Sequence, residues 1–313
     1  MIKNPIPWPN GAKVAVAITF DMDADSLIHI EKGKAGVNYL SSLSMLRYGP
    51  EVAIPRILDG YKRHGLTQTF FTPAWCIEQH PKAIEAILEG GHEIGFHGYI
   101  HEAPNALPPE EERYWMQRSI DVIERFTGKR PRGNRSPLYN MSAHTPGFLA
   151  EEGFLYDSSL MGDDVPYILA PPEGELVELP VSWATDDWPP YVHSIDLDYM
   201  FQTMSPDRAM EVFMAEFNAM RTAGGGLWIG VWHPFVSGRL SRWLRIEQMI
   251  EEMVATGDAW FAPLEDIAAH CLKMQAEGQV TLRRDVLPLY GGVSPIPDPM
   301  PSSMPGAPKR DSR

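Results

Sequence analysis

Apolar and polar positions alternate between two rhythms along this chain. Short apolar runs bounded by turn residues read as buried strands, at residues 15–21 (AVAITFD), 154–158, 176–183 and 226–232. Residues 68–75 (QTFFTPAW) are rich in β-formers, residues 93–99 make a strand interrupted by glycines, and 130–137 and 260–262 are short extended pieces. Between these lie helical patterns. In 51–64, Val52, Ile54, Ile57, Leu58 and Tyr61 recur at helical spacing before Gly65. Further helices are expected at 81–88, 108–127, 145–152, 205–222 and 240–256 and from about 264. The first turn of 108–127 carries Glu110, Glu111 and Glu112, which suits the helix dipole, and Ser205-Pro206-Asp207 is a cap followed by a proline. Roughly seven strand–helix units in succession imply an α/β fold, with a parallel sheet and crossover helices, open or closed into a barrel.

Composition narrows the class. With 313 residues, 44 % apolar and 22 % charged, the chain can bury a core and is not globally disordered. A formal charge of −14 opposes a binder that tracks nucleic-acid phosphates. Two distant cysteines, Cys76 and Cys271, exclude a disulfide framework and a cysteine-built zinc site. No apolar run nears the ~20 residues that span a bilayer. The opening MIKNPIPWPNGAK has no apolar segment of a secretory signal, so a soluble, cytoplasmic protein is expected. Residues 285–313 hold seven prolines, so a single domain over 1–284 is expected, followed by a proline-rich tail that is disordered or wraps a neighbour. Homo-oligomerisation stays open.

Candidate chemistry gathers where the strands end, the usual position of sites in parallel α/β folds. The first strand stops in Asp21-Met22-Asp23-Ala24-Asp25. If extended geometry continues through Asp23, then Asp21 and Asp23 share a face and repel unless a cation or proton lies between them. His97 and His101, four apart, fall on one side if they occupy a helical turn. With one carboxylate they form a two-His-one-carboxylate set that leaves positions for water and substrate. Arg135, in Arg132-Gly133-Asn134-Arg135-Ser136-Pro137, can pin a carboxylate; Arg132 reads better as a surface residue. His233, directly after an apolar strand, is placed as a general acid. Together these describe a hydrolytic site for an amide.

The chain resembles the polysaccharide deacetylases of carbohydrate esterase family 4, the NodB-homology fold, from about residue 14 to 264. Four motifs carry the likeness: TFDMD for the family's TFDDG, HGYIH for its H-S/T-x-x-H, Arg135-Ser136-Pro137-Leu138-Tyr139 for its R-x-P-Y, and LWIGVWH for its last strand ending in His. The resemblance implies a distorted barrel of seven strands, (β/α)7. It implies Asp21 as base with Arg135 holding it, His233 as acid, and Asp186 or Asp187, beside Trp188, as the partner of His233, with Asp187 preferred. The metal ligands would be His97, His101 and an aspartate. Met22 stands where the family has that aspartate, and a thioether does not replace a carboxylate on such an ion, so Asp23 is the substitute. The D-x-D spacing resembles a subgroup that includes a Helicobacter peptidoglycan deacetylase, metal-independent allantoinases and cyclic imide hydrolases.

Two imidazoles and a carboxylate suit Zn²⁺ best, with Co²⁺, Ni²⁺ or Mn²⁺ as alternatives. The long segment 27–50 reads as a lid bearing Tyr48 and Gly49. Trp75, Trp183, Trp188 and Trp232 close a small pocket, with Trp188 read as contacting substrate, and Arg239 at a helix start holds an anionic group of the substrate; Arg242 reads equally well as helix-surface charge. The expected substrate is a small amide, a cyclic imide or ureide, with N-acetylglucosamine glycans as the alternative. A catalytically dead binding relative, with Met22 as the scar, is the reading of another class.

Overall fold

The computed structural model describes residues 2–293 and 295. Twelve strands appear in chain order: β1 Val14–Asp21, β2 Thr69–Thr72, β3 Glu93–Phe96, β4 Gly133–Asn134, β5 Tyr156–Asp157, β6 Tyr167–Ala170, β7 Leu176–Glu178, β8 His193–Ser194, β9 Tyr199–Met200, β10 Gly226–Trp232, β11 Ala259–Phe261 and β12 Arg284–Val286. One curled sheet runs β10-β1-β2-β3-β4-β5-β7-β6-β12, with β11 also on β1. The strands from β10 through β7 pair in parallel, and β6 returns antiparallel against β7. This is the distorted, partly open NodB-type barrel that the motifs imply.

β1 is buried along its whole length, as its uninterrupted apolar run requires. Its free edge changes hands. β11 pairs with Val14–Val16 and β2 with Phe20 and Asp21, so the middle of the strand lacks a partner on that side. Two side chains fill the gap. Gln68 Oε1 accepts the Ile18 N–H at 2.6 Å, and the Tyr61 hydroxyl donates to the Ile18 carbonyl at 2.7 Å. Buried backbone groups are thus satisfied where the barrel flares. Phe20 packs on Phe70, Tyr61, Trp232 and Trp243, an aromatic cluster beneath the strand's catalytic end. A side chain of that size contributes about 1.5–3 kcal/mol by leaving water.

Several elements differ from the sequence pattern for local reasons. The strand expected at 68–75 ends at Thr72, because Pro73 redirects the chain into the helix Ala74–Gln79. The run 176–183 is strand only to Glu178. Segment 27–50 is not loop but helical, with helices at Ser26–Lys32 and Leu40–Tyr48. The boundary set after residue 284 falls inside β12, which pairs in parallel with β6. Those residues precede the first tail proline, Pro288, so nothing prevents an edge strand there. The tail beyond 295 lies outside the described residues. No described helix is long and apolar enough to cross a membrane.

Candidate active site and metal centre

The C-terminal ends of β1, β3, β4 and β10 converge. Met22 is buried in the apolar core, while Asp21 and Asp23 on either side of it face His97, which is the alternation of an extended chain. Asp23 Oδ1 lies 3.3 Å from His97 Nε2, and its Oδ2 lies 3.5 Å from His101 Nε2 and 3.4 Å from His233 Nε2. Asp21 Oδ2 is 3.8 Å from His97 Nε2. The two histidines do not share a helical turn. They lie in an irregular loop after β3, in which Gly98 (φ 71°) and His101 (φ 70°) adopt left-handed backbone, and this bend brings both imidazoles to one side. The four-residue spacing pointed to the right pair through the wrong conformation.

Second contacts orient these groups. His97 Nδ1 donates to the Arg135 carbonyl at 2.5 Å, which aims Nε2 at Asp23; against the effect of burial, Asp21, Asp23 and this carbonyl raise the imidazole above its ordinary value. Arg135 is fully buried. Its Nη1 donates to Asp21 Oδ1 at 2.8 Å and to Thr19 Oγ1 at 2.7 Å, and its Nε and Nη2 donate to the Ser158 carbonyl and hydroxyl at 3.0 Å. Asp187 settles the choice between the two aspartates. One oxygen is 2.7 Å from His233 Nδ1 and the other accepts the His233 backbone N–H at 2.9 Å. Asp186 instead accepts from the Tyr139 hydroxyl and from the Trp188 N–H.

The charge states suit a cation. Burial opposes ionisation of Asp23, but His101, His97 and His233 hold its carboxyl well below the usual range. Burial lowers the His101 imidazole to about 4, so it is neutral, as a ligand must be. Both Asp23 oxygens are buried without any hydrogen bond. Such orphaned carboxylate oxygens are costly. Asp23, His97 and His101 each offer an atom within 4.8 Å of the others. The residues therefore fit a divalent ion.

The site floors a cavity of about 480 Å³. Its walls include Leu27 and Ile30 from the helix Ser26–Lys32, Trp183 and Trp188, and Leu197, Tyr199 and Phe201 from the β8–β9 hairpin and the residue after it. Of the four tryptophans read as closing a pocket, Trp183 and Trp188 line it, while Trp75 does not and Trp232 is buried in the core; the hairpin was not named, because its two-residue strands carry no readable period. Tyr48, Gly49 and Arg239 are not on the wall. Gly49 packs on Phe235, and the Arg239 guanidinium lies 3.8 Å over the Tyr48 ring while donating to the Phe235 carbonyl at 3.2 Å. These residues serve packing between helices, so the anion-holding role read for Arg239 has no place here.

Comparison with known proteins agrees with this geometry. The family model described as polysaccharide deacetylase matches residues 43–154, which include His97, His101 and Arg135. The peptidoglycan deacetylase of Helicobacter pylori is 28 % identical over 283 residues, 82 % of this chain and 97 % of that one. A solved Mycobacterium smegmatis structure assigned to the polysaccharide deacetylases is 41 % identical with a TM-score of 0.84, covering 90 % of this chain and 97 % of its own. An allantoinase of known structure has a TM-score of 0.74 at 23 % identity, over 90 % of this chain and 96 % of that one, and so shares the fold. This chain belongs to the polysaccharide deacetylase family. It is a hydrolase of carbon–nitrogen bonds other than peptide bonds.

Proposed function

We propose that the chain hydrolyses a small amide, of the cyclic imide or ureide class, in the cavity above Asp21, Asp23, His97, His101 and His233. The observation that carries this reading is the size and apolar lining of the pocket over the site. Helix Ser26–Lys32 on one side and the β8–β9 hairpin on the other wall a mainly apolar pocket of about 480 Å³, within the ordinary range for small-molecule sites. A glycan chain needs a groove open at both ends.

Asp23, His97 and His101 would hold the metal, with Zn²⁺ the best match to two imidazoles and a carboxylate. When bound, the ion polarises the amide carbonyl and acidifies water. Asp21, ionised beside Arg135, accepts the proton of the attacking water. His233 Nε2 gives a proton to the leaving nitrogen. Burial alone would lower the His233 imidazole, but Asp187 against Nδ1, with Asp23 and Asp186, pushes it up to about 10, so it is stocked with that proton. Asp187 holds the ring at two points and so fixes its orientation. We read Asp21 as base, His233 as acid, and Arg135 and Asp187 as the residues that position them. The protein is proposed to be cytoplasmic.

A second reading, N-deacetylation of N-acetylglucosamine glycans, is favoured by the relatedness to the Helicobacter pylori peptidoglycan deacetylase along 97 % of that protein. A panel of cyclic imides, allantoin and N-acetylglucosamine oligomers, assayed with metal-replete protein, separates the two. Turnover of the oligomers alone would overturn the small-amide reading.

A further inference from the structure

Asp186 enters the steps above only through its charge on His233, yet it sits on the pocket wall. A parallel bridge to Val231 seats it beside β10, and the extended backbone there sends consecutive side chains different ways. Asp187 turns to His233, while Asp186 is 3 % exposed at the cavity. One carboxylate oxygen from each aspartate and a ring nitrogen of His233 lie within 4.8 Å of one another. The carboxyl of Asp186 therefore lies close to the His233 ring, on the wall of the same cavity.

Its hydrogen bonds are half filled. Trp188 N–H donates to Oδ1 at 2.7 Å and the Tyr139 hydroxyl donates to Oδ2. Burial raises the Asp186 carboxyl to about 7 against the pull of His233; its ionised form offers about four acceptor positions, and no other described donor takes the remaining ones. Tyr139 is held for this contact by an unusual backbone, since it and Leu138 have φ values of 59° and 56° although neither is glycine. The indole N–H of Trp188, another wall residue, is buried without a partner. Two residues of the wall thus have unfilled hydrogen-bonding capacity. Among the described residues, no lysine or arginine lines the cavity.

We propose that Asp186 is a specificity-determining residue: its carboxylate accepts a hydrogen bond from a second, uncharged donor of the substrate, an N–H or O–H adjoining the nitrogen that leaves toward His233. This rests on the amide-hydrolase reading above and narrows it. Two sources supply that chemistry, the remaining ring N–H of a ureide or a hydroxyl beside the acetamido group of an amino sugar. A simple amide with no neighbouring donor leaves the remaining acceptor positions of the buried carboxylate unfilled and is disfavoured.

Two matched probe pairs test this. One is a cyclic ureide and its analogue methylated on the ring nitrogen that does not leave. The other is an N-acetylglucosamine oligomer and its 3-deoxy counterpart. The metal-loaded full chain is assayed for kcat/KM, and affinity is measured on the Asp21→Asn background, each with and without Asp186→Asn. In Asp186→Asn the Trp188 N–H retains the amide oxygen, so the new NH2 meets the substrate donor head on. The wild-type chain should prefer the donor-bearing member of one pair by at least about tenfold, which also identifies the source. Asp186→Asn should collapse that preference below about threefold in both the kcat/KM ratio and the affinity ratio, on top of any loss the two members share through His233. Tyr139→Phe, which keeps the carboxylate, should retain the preference. Equal losses on both members, or equal affinity of the wild-type site for both, overturns the assignment. Turnover of neither pair overturns the hydrolase reading instead, while the affinity ratio still reads Asp186.

Discussion

Strand β3 has a buried acidic contact at each end, and the two ends are built on opposite rules. At its start, Glu93 receives the Tyr156 hydroxyl on Oε1 at 2.8 Å, and on Oε2 the Thr69 hydroxyl at 2.6 Å and the Glu265 N–H at 3.1 Å. At its finish, His97 meets Asp23, whose two oxygens have no hydrogen bond at all. Burial raises Glu93 to about 7 despite those three donors, so it is largely neutral below that pH. Asp23, fully buried where Glu93 is only partly so, is held well below the usual range by the histidines around it. A carboxylate with its acceptors filled holds elements together. One with no acceptor filled, facing His97 and His101, is a place for a cation.

That contrast can be broken by exchanging the roles. Asp23→Asn should remove bound divalent ion and turnover together, and chelation of the wild-type chain should lower its Tm. Glu93→Gln should change neither metal content nor the metal-dependent rise in Tm. Metal analysis and calorimetry decide, and loss of metal from Glu93→Gln would erase the distinction. Next in size, Asp21→Asn should keep its metal and lose at least ~10²-fold in kcat, because it removes the base and not the cage. Full activity would remove Asp21 from the chemistry.

His233→Ala should slow amides with poor leaving groups more than those with good ones, since only the former need the proton. Equal slowing of both would argue against an acid role. The smallest effect belongs to Glu93. Its folded value of about 7 lies above the ordinary 4.5, so the folded state binds the proton more tightly. The stability this contributes is complete below the unfolded value and is lost as pH rises through the folded one. The Tm of the wild-type chain relative to Glu93→Gln should therefore fall between about pH 5 and about pH 8. A flat difference would show that Glu93 does not titrate there.

Much of this molecule is legible from local pattern. The apolar run of β1 and its acidic end, the helix period of residues 51–64, and the strand leading to His233 are all short-range signals, and each lies where the pattern places it. The metal cage is legible for a related reason. Its members sit immediately after strands, and parallel strands deliver their ends to one side of a sheet. The bend that joins His97 to His101 is less so, because a non-glycine residue at φ 70° leaves no mark in sequence spacing. Tyr48 and Arg239 were misread for the same kind of reason: a cation near a site in sequence is drawn off by an aromatic face 3.8 Å away in space.

From residue order alone come the α/β class, the (β/α)7 arrangement and the family, along with the acids, imidazoles and guanidinium of the proposed reaction centre. These depend on periodicity and on motifs within single segments. Folding in three dimensions was needed to choose Asp187 over Asp186, to strip Asp23 of hydrogen-bond partners, and to set the hairpin residues Leu197, Tyr199 and Phe201 opposite the helix Ser26–Lys32 as walls. The reason is physical. Which of two adjacent carboxylates meets an imidazole, and how much of either is left unpaired, follows from side-chain direction and burial, and both are set by elements distant in the chain.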